Sequence, residues 1–254
     1  MNIIESISLG IIQGITEFLP VSSSGHLFLA EKWLGLNENL NLEILLHFGS
    51  LIAIVIYYWQ EIWELLSSAF SASKNGAKSR EFIGKLLLAT FLTVPGAILI
   101  RKVWDPEMTF SLVGITLIIT AGIILIAEKF RGKLEIEFTW KTAVLLGIIQ
   151  SIAVLPGISR SGITIAFLIL LGMNRQKSAK ISFFLAIPTI LGAMVLALKD
   201  GGSEILLNTQ NFAGFTAAII ASFLSIKIMT KLVEKNWIWF APYCAILGIF
   251  LLFI

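Results

Sequence analysis

The chain has 254 residues, of which 57% are hydrophobic and only 14% charged, with a mean hydropathy of +0.89. That is too little polar surface for a soluble protein of this size, and an integral membrane protein is expected. The net charge of +3 and the pI near 9.0 do not point to nucleic acid, because the basic residues sit between apolar spans and mark a membrane surface. One cysteine, Cys244, excludes an intramolecular disulfide and leaves the compartment open.

The first apolar stretch carries Gln13, Thr16 and Glu17 and ends at Leu19-Pro20, with no small-residue cleavage site, so no cleavable signal is expected. It also recurs. Residues 9–25 read LGIIQGITEFLPVSSSG and residues 146–162 read LGIIQSIAVLPGISRSG. Each copy is an apolar helix, a Leu-Pro break, a hydroxyl-rich turn and a glycine. The arm after the first break, 27–36, is about 15 Å of helix and cannot cross a bilayer of roughly 30 Å alone. Both copies, 3–36 and 140–172, therefore read as re-entrant helical hairpins.

Six further stretches are long and apolar enough to span: approximately 43–59, 82–100, 109–127, 180–199, 211–233 and 238–254. No β-barrel alternation is present. The loop 60–81 reads as a cytoplasmic connector with room for a surface-lying stretch around Trp63–Phe70. Trp33, Trp59, Trp63, Trp104, Trp140, Trp237 and Trp239 lie near span ends and are expected in interfacial belts.

Charge placement orients the chain. If both hairpins return to the side they entered, one side holds fourteen basic residues (Lys74, Lys78, Arg80, Lys85, Lys129, Arg131, Lys133, Lys141, Arg175, Lys177, Lys180, Lys227, Lys231 and Lys235). The other holds Lys32, Arg101, Lys102 and Lys199. Counting each hairpin as a full crossing would divide the same residues evenly. The positive-inside rule selects the biased arrangement, with both termini outside. An odd number of spans separates the hairpins, so the second enters from the opposite face. The expected fold is all-α: six transmembrane helices plus two re-entrant hairpins, forming two inverted-topology repeats (about 1–127 and 140–254) within one membrane domain. Re-entrant backbone at that depth needs enclosure by protein or a wet cavity, and a cavity implies a ligand.

The turns PVSSSGH (20–26) and PGISRSG (156–162) each precede a helix N-terminus, which attracts anions. Ser22, Ser23, Ser24, Gly25, Ser159, Ser161, Gly162 and Thr164 supply hydroxyls and turn backbone, and Arg160 a fork suited to phosphate oxygens. Serines beside a proline also serve as caps, and Ser22, Ser24, Ser159 and Ser161 are expected first in that role. Where the copies differ, Ser23 faces Arg160, and only the first copy owns Glu17 and His26. These four are the candidate catalytic residues: an acid–base pair, a nucleophile and an anion holder. Gln13 lies one turn before Glu17 on the same face and is read as orienting that carboxylate, as helping to hold a metal, or as a polar residue satisfied inside the bundle. His47 is read as packing or a supporting contact.

At these turns the sequence resembles the undecaprenyl-diphosphatase family, membrane phosphatases associated with bacitracin resistance. QGITEFLPVSSSGH matches that family's first motif and PGISRSGITI its second; LLHFGSLIA (45–53), FFLAIPTILGA (183–193) and the last span extend the similarity along nearly the whole chain. The resemblance implies hydrolysis of undecaprenyl diphosphate to the monophosphate carrier of cell-wall synthesis and inorganic phosphate, at a site facing outward from the bacterial inner membrane. It implies Glu17 as the essential glutamate, Ser23 as the proposed nucleophile, His26 as the essential histidine and Arg160 as the phosphate-binding arginine, with a divalent cation, Mg²⁺ or Ca²⁺, supporting activity. Gln13 stands where other members have glutamate, leaving Glu17 as the only obvious protein carboxylate for that cation. Serine and histidine both stay open as nucleophile. A polyprenyl diphosphate and membrane lipids are the expected partners, and a homodimer is an open option. The competing reading is a transporter or lipid flippase, which inverted repeats suit but which gives no reason for Glu17, Ser23 and His26 to cluster in one copy.

Overall fold

The structure, a computed structural model, describes residues 1–37, 39–104, 106–132, 136–199 and 208–254. Lys133 and the side chain of Lys199, both counted above, lie outside the described residues. Every regular element among the described residues is helical: α1 (Ile3–Phe18), α2 (Ser23–Trp33), α3 (Leu40–Tyr57), α4 (Trp59–Ala69), α5 (Lys74–Val103), α6 (Phe110–Lys129), α7 (Trp140–Ser151), α8 (Arg160–Leu170), α9 (Arg175–Lys199), α10 (Thr209–Lys235) and α11 (Phe240–Leu251). A 3-10 turn at Ile152–Val154 follows α7, and another at Trp237–Trp239 precedes α11.

Five helices, α3, α5, α6, α9 and α10, are long and apolar enough to cross a membrane. They fall on five of the six expected spans. The stretch expected as the sixth, 238–254, is instead the 3-10 turn and the 12-residue α11, about 18 Å long and shorter than a bilayer core. The connector after α3 is the 11-residue helix α4, with no buried residue, as a surface-lying stretch should be. Six of the seven tryptophans are exposed. Trp237 is the correction: it is 1% exposed and donates through Nε1 to Glu128 Oε2 at 2.8 Å. An indole near a span end also serves as a buried anchor when a carboxylate can take its N–H.

Prolines set the two breaks. Leu19 and Leu155, each before a proline, are extended (ψ 145° and 128°), since the proline ring disfavours the helical region for the preceding residue. The chain then reverses through left-handed backbone, at Gly157 (φ 83°) in the second copy and at Ser22 (φ 70°) in the first. The first turn is one residue shorter, so its left-handed position falls on the cap serine itself, a strained conformation for a residue with a Cβ. Ser22 Oγ and Ser159 Oγ then cap Gly25 N and Gly162 N at 3.2 and 3.0 Å, and α2 and α8 begin at Ser23 and Arg160. The cap roles expected of Ser22 and Ser159 are as read from the sequence, whereas Ser24 and Ser161 are not the caps: Ser24 Oγ lies 3.4 Å from Ser22 Oγ, and Ser161 Oγ donates to Leu19 O at 2.9 Å.

The halves exchange partners: α1 lies along α10 and α7 along α5, while α6 packs on α8 and α11. Glycine makes these crossings close. A Cβ on Gly10 would stand 2.1 Å from Gly214 O, and one on Gly147 would stand 2.4 Å from Ala89 O. α1 thereby holds its C-terminal turn in the interior, where Phe18, fully buried, packs edge-on against Phe183 of α9 at 5.3 Å.

Candidate active site

The two turns meet. Ser161 Oγ donates to Leu19 O at 2.9 Å, and a Cβ on Gly25 would lie 3.6 Å from Gly157 Cα. This contact puts the last turn of α1 against the first turns of α2 and α8. Glu17 there is 7% exposed. Its Oε1 accepts from Arg160 Nη2 at 2.7 Å, and its Oε2 from Ser23 Oγ at 2.6 Å and Gln13 Nε2 at 2.9 Å. An isolated carboxylate at this depth would be costly; three donors, one of them a guanidinium, offset that cost.

Glu17, Ser23 and Arg160 are thus one cluster, and Gln13 belongs to it. Arg160, a cation with no sequence neighbour of opposite charge, finds its anion 143 residues away in Glu17. Its Nη1 reaches Ser182 O of α9 at 3.2 Å, which fixes the plane of the fork and leaves other N–H groups of a five-donor group for a ligand. Thr164 Oγ1 braces the same corner, donating to Arg160 O at 2.8 Å and pairing with Ser182 Oγ at 2.7 Å. The hydroxyls of Ser159, Ser161 and Thr164 are buried and used in this framework, while Ser23 and Ser24 stay partly accessible.

His26 makes its hydrogen bonds elsewhere: Nδ1 with Ser22 O at 2.8 Å and Nε2 with Tyr243 Oη of α11 at 2.7 Å. Of the two readings of His47, packing or a supporting contact, the structure bears out the contact: Nε2 lies 3.5 Å from Glu17 Oε2. Tyr243 was not assigned from sequence; it sits in an apolar run and carries no local signal.

The residues present would give a divalent cation only part of its ligands. Among the described residues no group of three or more His, Cys, Asp or Glu is gathered as a protein-only cage would need. The buried Gln13 Oε1, however, has no hydrogen-bond partner and sits on the amide that bonds Glu17. An orphaned carbonyl oxygen beside a carboxylate fits a hard cation whose remaining ligands are diphosphate oxygens and water.

Chemically, the cluster offers a hydroxyl with a carboxylate to take its proton and a guanidinium within reach of the same point. That set suits attack on a phosphoryl group and stabilisation of the charge that develops.

The family model described as bacitracin resistance protein BacA matches residues 6–250. An undecaprenyl-diphosphatase of Carboxydothermus hydrogenoformans is 38% identical over 269 residues, covering 99% of this chain and 97% of the relative. One from Methanosphaera stadtmanae is 35% identical over 267 residues, covering 98% and 96%, and one from Thermosipho melanesiensis is 36% identical over 250 residues, covering 96% of each. With the match running almost from end to end, the chain belongs to the BacA family of bacitracin resistance proteins.

Proposed function

We infer that this protein hydrolyses undecaprenyl diphosphate to undecaprenyl phosphate and inorganic phosphate, recycling the lipid carrier of cell-wall synthesis and so conferring bacitracin resistance. The observation that carries this reading is the meeting of Glu17, Ser23 and Arg160 from two distant turns, in a chain similar throughout to undecaprenyl-diphosphatases.

In the mechanism we assign, Glu17 takes the Ser23 proton across their 2.6 Å hydrogen bond as Oγ attacks the terminal phosphorus. The Oγ–P bond forms, the bridging P–O bond breaks, and undecaprenyl phosphate leaves. Arg160 and turn N–H groups hold the phosphoryl oxygens through the transition state. Water, giving a proton to His26, then releases phosphate and restores Ser23. A neutral imidazole whose Nδ1 faces a carbonyl carries its lone pair at Nε2, which favours a base over an acid for His26. Glu17 and Gln13 Oε1 would hold the Mg²⁺ or Ca²⁺ ion together with the substrate. Its contribution, when bound, is neutralisation of diphosphate charge.

The same reading places the chain in the bacterial inner membrane as two inverted repeats, 1–127 and 140–254, with two hairpins, six crossings, and termini and opening outward. The sixth crossing is α11, packed on α6, extended by the Trp237–Trp239 turn before it and the residues after Leu251. The exchange of partners between halves supports the repeat.

The test is phosphate release by purified protein from a detergent-solubilised polyprenyl diphosphate, with Glu17→Gln slowing kcat/KM about 10²–10³-fold. Rapid quench with labelled substrate is expected to give acid-stable phosphate on Ser23; acid-labile label on His26 would reassign the nucleophile. Pure protein that releases no phosphate but moves the lipid across vesicles would replace this reading by a flippase.

A further inference from the structure

Tyr243 projects from α11 onto the first turn. Its ring lies nearly parallel to that of His26, with centroids 5.9 Å apart and an interplanar angle of 12°. α11 is seated there by its backbone neighbour Cys244, fully buried, whose Sγ lies 3.5 Å from Pro20 O. Elsewhere α2 and α11 barely approach each other, so this pair is the main link between them.

The hydrogen bonds fix directions. Ser22 O can only accept, so the imidazole nitrogen 2.8 Å away, Nδ1, carries the hydrogen. Nε2 of the neutral ring is then a lone pair, and the hydroxyl 2.7 Å from it must donate. We propose that Tyr243 is a positioning residue for His26: its phenol, lying edge to edge with the imidazole and donating to Nε2, holds the ring in the Nδ1–H tautomer with the basic nitrogen ready for a proton. The inference rests on the reading of His26 as the base of the hydrolytic step.

A bare imidazole has two tautomers of similar energy and a free ring torsion; Ser22 O and Tyr243 Oη together select one of each. The single lone pair of Nε2 points at Tyr243 Oη, so the water's proton enters through that hydroxyl. The hydroxyl passes its own hydrogen to Nε2, takes the water's in exchange and ends as the acceptor without moving its oxygen, and the pair persists in both charge states. Phenylalanine would keep the ring in place and lose this. Tyr243 itself is 46% exposed and touches none of Glu17, Ser23 or Arg160 through a hydrogen bond, so its effect runs through His26.

The chain holds only two histidines, His26 and His47, which makes the tautomer directly readable. With ¹⁵N-labelled histidine in the full-length protein in bilayers, His26 is expected to show a protonated Nδ1 and a lone-pair Nε2, assigned by comparison with His47→Gln. Tyr243→Phe is expected to mix the tautomers, lower kcat roughly three- to tenfold, leave KM for the polyprenyl diphosphate within about twofold, and move the pH limb set by His26. An unaltered ¹⁵N pattern and kcat in Tyr243→Phe would overturn the proposal while phosphate release by the parent protein left the functional reading intact. A raised KM at constant kcat would overturn it too, by making Tyr243 a substrate contact. Should Tyr243→Phe not fold, a protonated Nε2 in the parent protein decides against the proposal and a lone pair there decides for it. A parent protein without phosphatase activity would sink the functional reading, and with it the kinetic half of this one.

Discussion

At the scale of single residues, the Glu17–Arg160 pair carries most of the design. Arg160 spends one nitrogen on Glu17 and one on Ser182 O, so the fork is oriented before any ligand arrives. A lysine offers one point charge and cannot span both acceptors. Arg160→Lys is therefore expected to reduce kcat/KM about 10²–10³-fold. Combined with Glu17→Gln, the loss should fall well short of the product of the two single losses, since the residues act as a unit. Steady-state phosphate release from the four members of the cycle measures this, and additive losses would mean the two act separately. His47, 3.5 Å from the same carboxylate, shows the limit of reading residues singly. In sequence it is one polar ring in an apolar span, and only the approach of α3 to α1 makes it a neighbour of Glu17.

At the scale of elements, the breaks were legible because a Leu-Pro step followed by a hydroxyl-rich turn with glycine leaves the helical region at Leu19 and Leu155, whereas Pro95 and Pro188, with no such turn after them, stay inside α5 and α9. Lengths were less so. The run 238–254 has the hydropathy of a span, but the chain turns through Trp237–Trp239 because Trp237 is pinned by Glu128, a contact hydropathy does not encode. Close packing yields a stability test. A methyl on Gly10 would strike the Gly214 carbonyl oxygen at 2.1 Å, whereas nothing lies within 4 Å of one on Gly122. Gly10→Ala should lower the thermal midpoint in detergent by about 3–10 °C, from an overpacking cost of about 1–3 kcal/mol. Gly122→Ala should be neutral or slightly stabilising, because alanine is the better helix former. Equal midpoints for the two variants would show that α1 and α10 are not interlocked.

At the scale of the whole molecule, the proposed orientation rests on the asymmetry of charge. It puts the exposed segment between α4 and α5 on the basic side and the segment between α2 and α3 on the opposite one. Ala72 and Asn37 are exposed in these two segments, and the native Cys244 is buried, so single cysteines give a clean readout. In intact cells a membrane-impermeant thiol reagent is expected to label Asn37→Cys and to spare Ala72→Cys until the membrane is opened. The reverse pattern would invert the topology and turn the active site inward.

The sequence by itself determined the membrane class, the two broken helices, the cap serines and the identity of Glu17, Ser23, His26 and Arg160 as residues out of place in an apolar chain. All of these follow from short-range chemistry: hydropathy, proline geometry, and the cost of polar groups in lipid. The tertiary structure alone decided that Arg160 answers Glu17, that Ser23 hands its hydrogen to that same carboxylate, and that Tyr243 faces His26. Those pairings join residues 143, 6 and 217 positions apart. What closes such distances is helix packing, here α1 on α10, α7 on α5 and turn on turn, and packing is a property of the assembled surface rather than of any stretch of chain.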